Sequence, residues 1–249
     1  MDIVIDTETT GLDPKKDEVL ELAIVTIDGE VLFHHLIRPQ RRKRWPDAQA
    51  INGIAPADVK NEKTLLDYGV ELSEIFNSAE RLIGYNVDFD LSMLRASGAV
   101  IRDIDTRDVM KLYAMVHGTF NEFRGRNDYV KLEECAEHYG YDYDAHSAEA
   151  DAKATAFCWK AMQADEDYIS CMNQIRAAEA ERAAKDEAAR KSSSLRVISC
   201  LIITIVAFIS AFVIGLSNLF LAFILFVIGI IGCFATAISY GVWKAINKL

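Results

Sequence analysis

From Val197 to Trp243 the chain contains no Asp, Glu, Lys, Arg or His. No water-facing helix or strand runs that far without a polar face. About 20 apolar residues cross the roughly 30 Å hydrocarbon core of a bilayer, and this stretch holds more than one such run. Val197–Leu216 is the first and Leu219–Trp243 the second. Gly215, Ser217 and Asn218 around the join are turn formers. The pattern predicts a two-helix transmembrane hairpin, about 197–216 and 219–243, with a short tail at 244–249. Arg190, Lys191 and Arg196 precede the first run and Lys244 and Lys248 follow the second. The positive-inside bias therefore predicts a two-span membrane protein with both flanks in the cytoplasm. The acidic opening Met1-Asp2-Ile3-Val4-Ile5-Asp6 does not read as a signal peptide. No Asp, Glu, Lys, Arg or His lies in the runs to mark a transport pathway.

All 37 acidic residues lie before this stretch, with all but two of the 27 basic ones. Residues 1–196 are thus two units more acidic than the whole chain's −10, which excludes a general electrostatic binder of polyanions. None of the five cysteines forms a C-x-x-C pair. In a cytoplasmic setting they imply neither a disulfide framework nor a zinc site.

Within residues 1–165 the order of elements reads as one α/β domain. Ile3–Ile5 is a short buried strand. Val19–Ile27 and Val31–Ile37 flank Asp28-Gly29, a hairpin signal. Apolar residues from Leu65 to Phe76 recur at helical spacing. A strand is expected at 82–86, a helix around Leu91–Leu94, a strand at Val100–Ile104, and helices near 105–117, 130–139 and 147–164. Residues 171–191 are rich in Ala, Glu, Arg and Lys and suit a solvated helical spacer (166–196 in all). Ser192-Ser193-Ser194 is expected to break it.

Three segments carry candidate chemistry. In Asp6-Thr7-Glu8-Thr9-Thr10-Gly11 the two carboxylates share one face of an extended strand. They repel unless a cation holds them, and hard oxygen donors suit Mg²⁺ or Mn²⁺; a solvated strand end is the plainer alternative. Asp90, among Phe89, Leu91 and Leu94, is either a functional carboxylate or a helix-dipole partner. His146 stands just before Ser147, a helix N-cap, with Asp151 in the first turns. It reads as a proton acceptor or as a surface histidine.

Taken together, Asp-x-Glu-Thr-Thr-Gly, then Asn86-x-x-Phe89-Asp90, then His146 followed by Asp151 resemble the DEDDh 3′–5′ exonucleases. That group includes the epsilon proofreading subunit of DNA polymerase III, RNase T and the oligoribonucleases. Ile51-Asn52-Gly53-Ile54 is similar to the family's Ile-His-Gly-Ile, with Asn52 in place of His. Tyr85 also stands where His is frequent, and Ile104-Asp105-Thr106 matches a further Asp-Thr pair. The resemblance covers about residues 1–165 and omits the spacer and tail.

The resemblance implies a ribonuclease-H-like mixed sheet flanked by helices. It implies two Mg²⁺ (or Mn²⁺) ions held by Asp6, Glu8, Asp90 and Asp151, with His146 as general base. It places Thr7, Thr9, Leu12 and Asn86 against the terminal nucleotide of a single-stranded DNA or RNA 3′ end. The basic run Arg41, Arg42, Arg44 with Arg38 reads as a phosphate rim or a solvated loop, with Arg124 and Arg126 as weaker candidates. The leading expectation is a membrane-anchored 3′–5′ exonuclease releasing nucleoside 5′-monophosphates. The alternative is a membrane-tethered nucleic-acid-binding or scaffolding module with little turnover.

Overall fold

The computed structural model describes residues 1–213, together with Ile224 and Val227. Met1–Cys171 forms one compact unit, and the chain from Met172 onward forms another.

In the first unit, β1 (Asp2–Thr9), β2 (Val19–Thr26), β3 (Val31–Leu36), β4 (Arg81–Gly84) and β5 (Asp105–Asp108) make one sheet in the order β3-β2-β1-β4-β5. β1 pairs antiparallel with β2, and β2 with β3 through the Asp28-Gly29 turn. β4 runs parallel to β1 and to β5. The sheet is therefore mixed, and β1 sits at its centre.

The helices are α1 (Pro46–Asn52), α2 (Pro56–Val59), α3 (Gly69–Ser78), α4 (Val87–Ala96), α5 (Val109–His117), α6 (Leu132–His138), α7 (Ala148–Ala164) and α8 (Glu166–Val213). A 3₁₀ turn, Leu65–Tyr68, leads into α3, and a small hairpin, β6 (Phe120–Asn121) with β7 (Arg126–Asn127), follows α5. Ile3 and Ile5 of β1 enter a core with Leu72 and Phe76 of α3 and Leu91 and Leu94 of α4. Strand alternation sends Val4, Asp6 and Glu8 to the opposite face, where α7 packs against β1 and β2.

Two expectations are corrected. Val100–Ile104 is not a strand; pairing begins one residue later, at Asp105↔Arg81. β5 is an edge strand of polar sequence, Asp-Thr-Arg-Asp, whereas Ile101 and Ile104 pack on the core from the preceding loop. The apolar run therefore marked burial rather than pairing. Ser192–Ser194 does not break the spacer, because α8 runs through it without interruption. Ser193 Oγ donates to the Arg190 carbonyl, so a hydroxyl is accommodated within the helix.

Among the described residues no helix is long and apolar enough to cross a membrane. The described part of α8 ends at Val213. The rest of the expected first span, nearly all of the second and the 244–249 tail lie outside the described residues.

Candidate active site

β1 delivers Asp6 and Glu8 on one face, and a register shift between Glu8 and Thr9 ends the regular pairing with β2. Such a bulge bends a strand and re-aims its side chains. Gly11, the last residue of the first motif, passes close to the next loop: a Cβ there would lie 2.5 Å from Asp17 Oδ2. Any larger residue would push the β1–β2 loop away.

α7 delivers the second part. Ser147 caps it, accepting from the Ala150 N–H at 3.4 Å, a contact worth about 1 kcal/mol. His146 precedes it with φ of 77°, an uncommon conformation for a side-chain-bearing residue. Its N–H donates to Asp151 Oδ2 at 3.3 Å. Asp6, Glu8 and Asp151 converge so that one carboxylate oxygen from each lies within 4.8 Å of the others.

Asp90 arrives from α4, on the other side of β1. It is 3% exposed, and Oδ1 accepts the Thr7 hydroxyl at 2.7 Å. Asn86, the α4 N-cap, has φ of 71° and turns the chain from β4 into the helix.

The electrostatics follow from this packing. Burial, then the neighbouring charges of Asp90 and Asp151, push the Asp6 carboxyl well above its usual range. Burial raises Asp90 too, against the hydrogen bond from Thr7. Burial raises Glu8 to about 7, opposed by a hydrogen bond from Asn52. Burial also raises Asp151, opposed by Tyr143 and the His146 N–H. Four carboxylates raised together are a group short of positive charge. Oxygen-only donors at this spacing are the chemistry of a hard divalent cation, and Asp6, Glu8 and Asp151 can hold one.

The remaining expected residues are placed as follows. Thr9 is buried, its hydroxyl donating to the Gly11 carbonyl at 2.8 Å. Leu12 is 83% exposed beside the motif loop. Thr7 is buried and turned to Asp90, not to solvent. Arg41 and Arg42 contact Asp17 and Glu18: Arg42 Nη2 lies 2.8 Å from Asp17 Oδ1, and Arg41 Nη2 donates to the Asp17 carbonyl at 3.1 Å. The Glu18 carboxylate accepts the backbone N–H groups of Gln40, Arg41 and Arg42. Arg38 Nε donates to the Glu62 carbonyl at 2.9 Å, and Arg44 is exposed. Arg124 pairs with Asp128 at 2.8 Å, and Arg126 stacks on Tyr129 at 3.8 Å.

Sequence reasoning passed over Glu21 and His34. Glu21 lies opposite Glu8 in the β1–β2 ladder and is buried. His34 Nε2 lies 2.6 Å from Glu21 Oε1, and His34 Nδ1 lies 2.9 Å from Glu149 Oε2. Glu21 Oε2 also accepts the Ala148 N–H at 3.2 Å. Together they pin the first turn of α7, and with it Asp151, to the sheet. The available signal was a lone carboxylate within the apolar run Val19–Val25. Asn52, at the end of α1, donates to the Thr9 carbonyl at 3.3 Å.

The model of the RNase_T family, described as "Exonuclease", matches residues 3–157. The chain belongs to this exonuclease family. DNA polymerase III subunit epsilon of Treponema pallidum is 31% identical over 153 residues, covering 59% of this chain and 69% of that protein. The 3′–5′ exonuclease DinG of Bacillus subtilis is 31% identical over 163 residues, 61% of this chain but only 16% of DinG. Among solved structures, E. coli exonuclease I in complex with a dA16 oligonucleotide aligns with a TM-score of 0.55 at 20% identity. That alignment covers 68% of this chain and 42% of exonuclease I, and it shows the fold alone. The fold of this exonuclease-family enzyme is ribonuclease-H-like, a mixed sheet flanked by helices.

Proposed function

We propose that this chain is a divalent-metal-dependent 3′–5′ exonuclease that shortens single-stranded nucleic acid and releases nucleoside 5′-monophosphates. The observation that carries the reading is the convergence of Asp6, Glu8 and Asp151 oxygens within 4.8 Å, with Asp90 buried behind them. Asp6, Glu8, Asp90 and Asp151 are the residues that would hold two Mg²⁺ or Mn²⁺ ions. Such ions supply positive charge on both sides of a scissile phosphodiester.

The chain's own groups do the rest. His146, exposed on the loop before α7, takes the proton of the attacking water at an imidazole nitrogen. Asp151 fixes that loop through the His146 N–H. Thr9 shapes the motif loop, while Leu12 and Asn86, both exposed, offer contacts to the terminal nucleotide. Arg38 and Arg44, both exposed, are the side chains of the basic run that would meet the following phosphates. Because the chain's net charge is −10, selectivity comes from the site rather than from long-range attraction. The uncharged stretch Val197–Trp243 holds the enzyme to a lipid bilayer as a two-span hairpin, with residues 1–196 and the C-terminus cytoplasmic.

A 5′-labelled single strand tests the polarity. A free 3′ end is expected to give a ladder of progressively shorter products, and a blocked 3′ end none. Cleavage of the blocked strand at the same rate would overturn the reading. For the anchor, the full chain is expected to partition into detergent, and recovery in the aqueous phase would remove that part.

A further inference from the structure

The ends of three helices meet on a second cluster, which owes nothing to the carboxylate site. His117 is the last residue of α5, His138 the last of α6, and Asp165 the residue that follows α7. One donor atom from each lies within 4.8 Å of the others. His117 Nε2 stands 2.8 Å from Asp165 Oδ2, and the His117 and His138 rings are 4.7 Å apart.

We propose that His117, His138 and Asp165 form a binding site for one borderline divalent cation, of which Zn²⁺ is the natural occupant. Two imidazoles and one carboxylate are a ligand set this ion accepts, with a fourth position left for water. Mg²⁺ and Ca²⁺ prefer oxygen donors, so the two clusters of this protein differ in the metal they select.

Two geometric features favour a cation here. First, the Asp165 carboxylate is already aimed: Oδ1 accepts the N–H groups of Asp167 and Tyr168 at 2.8 and 3.3 Å, which fixes the carboxylate plane and turns Oδ2 to the histidines. Secondly, the Tyr139 hydroxyl donates to Oδ2 at 2.8 Å, the kind of outer contact that orients a metal-bound carboxylate. Tyr113 packs against both imidazoles, at 4.9 and 5.6 Å between centroids.

Tetrahedral donors around zinc lie about 3.4 Å apart. Binding therefore opens the His117–Asp165 pair from 2.8 Å by roughly half an ångström and brings the imidazole of the exposed His138 to the same spacing by side-chain rotation. The ion would replace the His117–Asp165 hydrogen bond and tie together the ends of α5, α6 and α7. Asp151 and Asp165 mark the two ends of α7, so this site stands about 20 Å from the carboxylates along that helix. It acts as a staple for the exonuclease unit, not as part of its chemistry.

The test uses the full chain with Mg²⁺ in excess, so that the oxygen-rich site is filled with a hard ion. Zn²⁺ is titrated against a chromophoric chelator, and melting is followed in parallel. The parent is expected to take up one equivalent of Zn²⁺ and to melt at higher temperature with it. His138→Ala, at an exposed position, is expected to lose that equivalent and the rise in melting temperature while keeping its Mg²⁺-dependent activity. Tyr139→Phe is expected to weaken Zn²⁺ binding roughly tenfold. Co²⁺ in place of Zn²⁺ is expected to give the strong visible absorption of a nitrogen-ligated four-coordinate ion, absent from His117→Ala. Equal Zn²⁺ uptake by the parent and His138→Ala, or loss of all Zn²⁺ uptake on Asp6→Asn alone, would overturn the proposal.

Discussion

The exonuclease unit holds two clusters of titratable side chains, and they solve the same problem in opposite ways. At Asp6, Glu8, Asp90 and Asp151 every group is an acceptor when ionised, and burial raises all four. At His117, His138 and Asp165, donors and acceptors are mixed, and hydrogen bonds hold Asp165 down at about 2. The first cluster is incomplete without added positive charge. The second is satisfied by its own hydrogen bonds, and a metal would replace the one between His117 and Asp165. A like-charge cluster raised in this way is the expected setting for metal-assisted chemistry, whereas the mixed cluster of this protein is a structural contact that a metal can strengthen.

The largest expected effect separates the two clusters directly. A chelator that strips divalent ions is expected to lower 3′ shortening by about 10³-fold or more, since metal charge at a phosphodiester is worth several kcal/mol. Mg²⁺ is expected to restore the rate, and His138→Ala is expected to respond identically. A chelator-resistant rate would erase the distinction. Next, His146→Ala is expected to slow turnover by about 10²- to 10⁴-fold while Mg²⁺ affinity, read by calorimetry, stays within a few-fold of the parent. Thr7→Val removes the hydroxyl that orients Asp90 and is expected to weaken Mg²⁺ binding roughly ten- to hundredfold. An unchanged affinity would show that Asp90 needs no such support.

The smallest effect is a pair of opposed pH dependences in the metal-free chain. Glu8 in the fold titrates at about 7, above an unfolded value of about 4.3. Its contribution to stability is full below about 4.3 and is lost as pH rises through 7. Asp165 titrates at about 2, below an unfolded value of about 3.9. Its contribution is present above about 3.9 and is lost as pH falls through 2. Melts in chelator are thus expected to show a lower midpoint at pH 8 than at pH 5, and saturating Mg²⁺ is expected to remove most of that fall. A midpoint that rises from pH 5 to pH 8 in chelator would contradict the charge-poor reading of the carboxylates.

Much of this was legible in the chain because the local signals and the fold agree. The two-residue spacing of Asp6 and Glu8 is the spacing of a strand face, and Ser147 before Ala148 is a helix start in both sequence and structure. Other features depend on partners distant in sequence. Glu21 became visible as a site residue only through the ladder that sets it against Glu8. His34 acquired a role only when β3 brought it to Glu149 on α7. Val100–Ile104 misled because an apolar run records burial, whereas a polar edge strand such as β5 is defined by its neighbour. The His117–His138–Asp165 cluster was invisible for the same reason: its members are spread over three elements, and only the packing of helix ends unites them.

The carboxylates gathered around Asp6 are the proposed catalytic centre. The most direct measurement is the rate of 3′ shortening of a labelled single strand by the full chain and by Asp6→Asn, both at saturating Mg²⁺ and both shown to be folded. A fall of about 10³-fold or more is expected in the variant. A variant that shortens the strand within tenfold of the parent would contradict it.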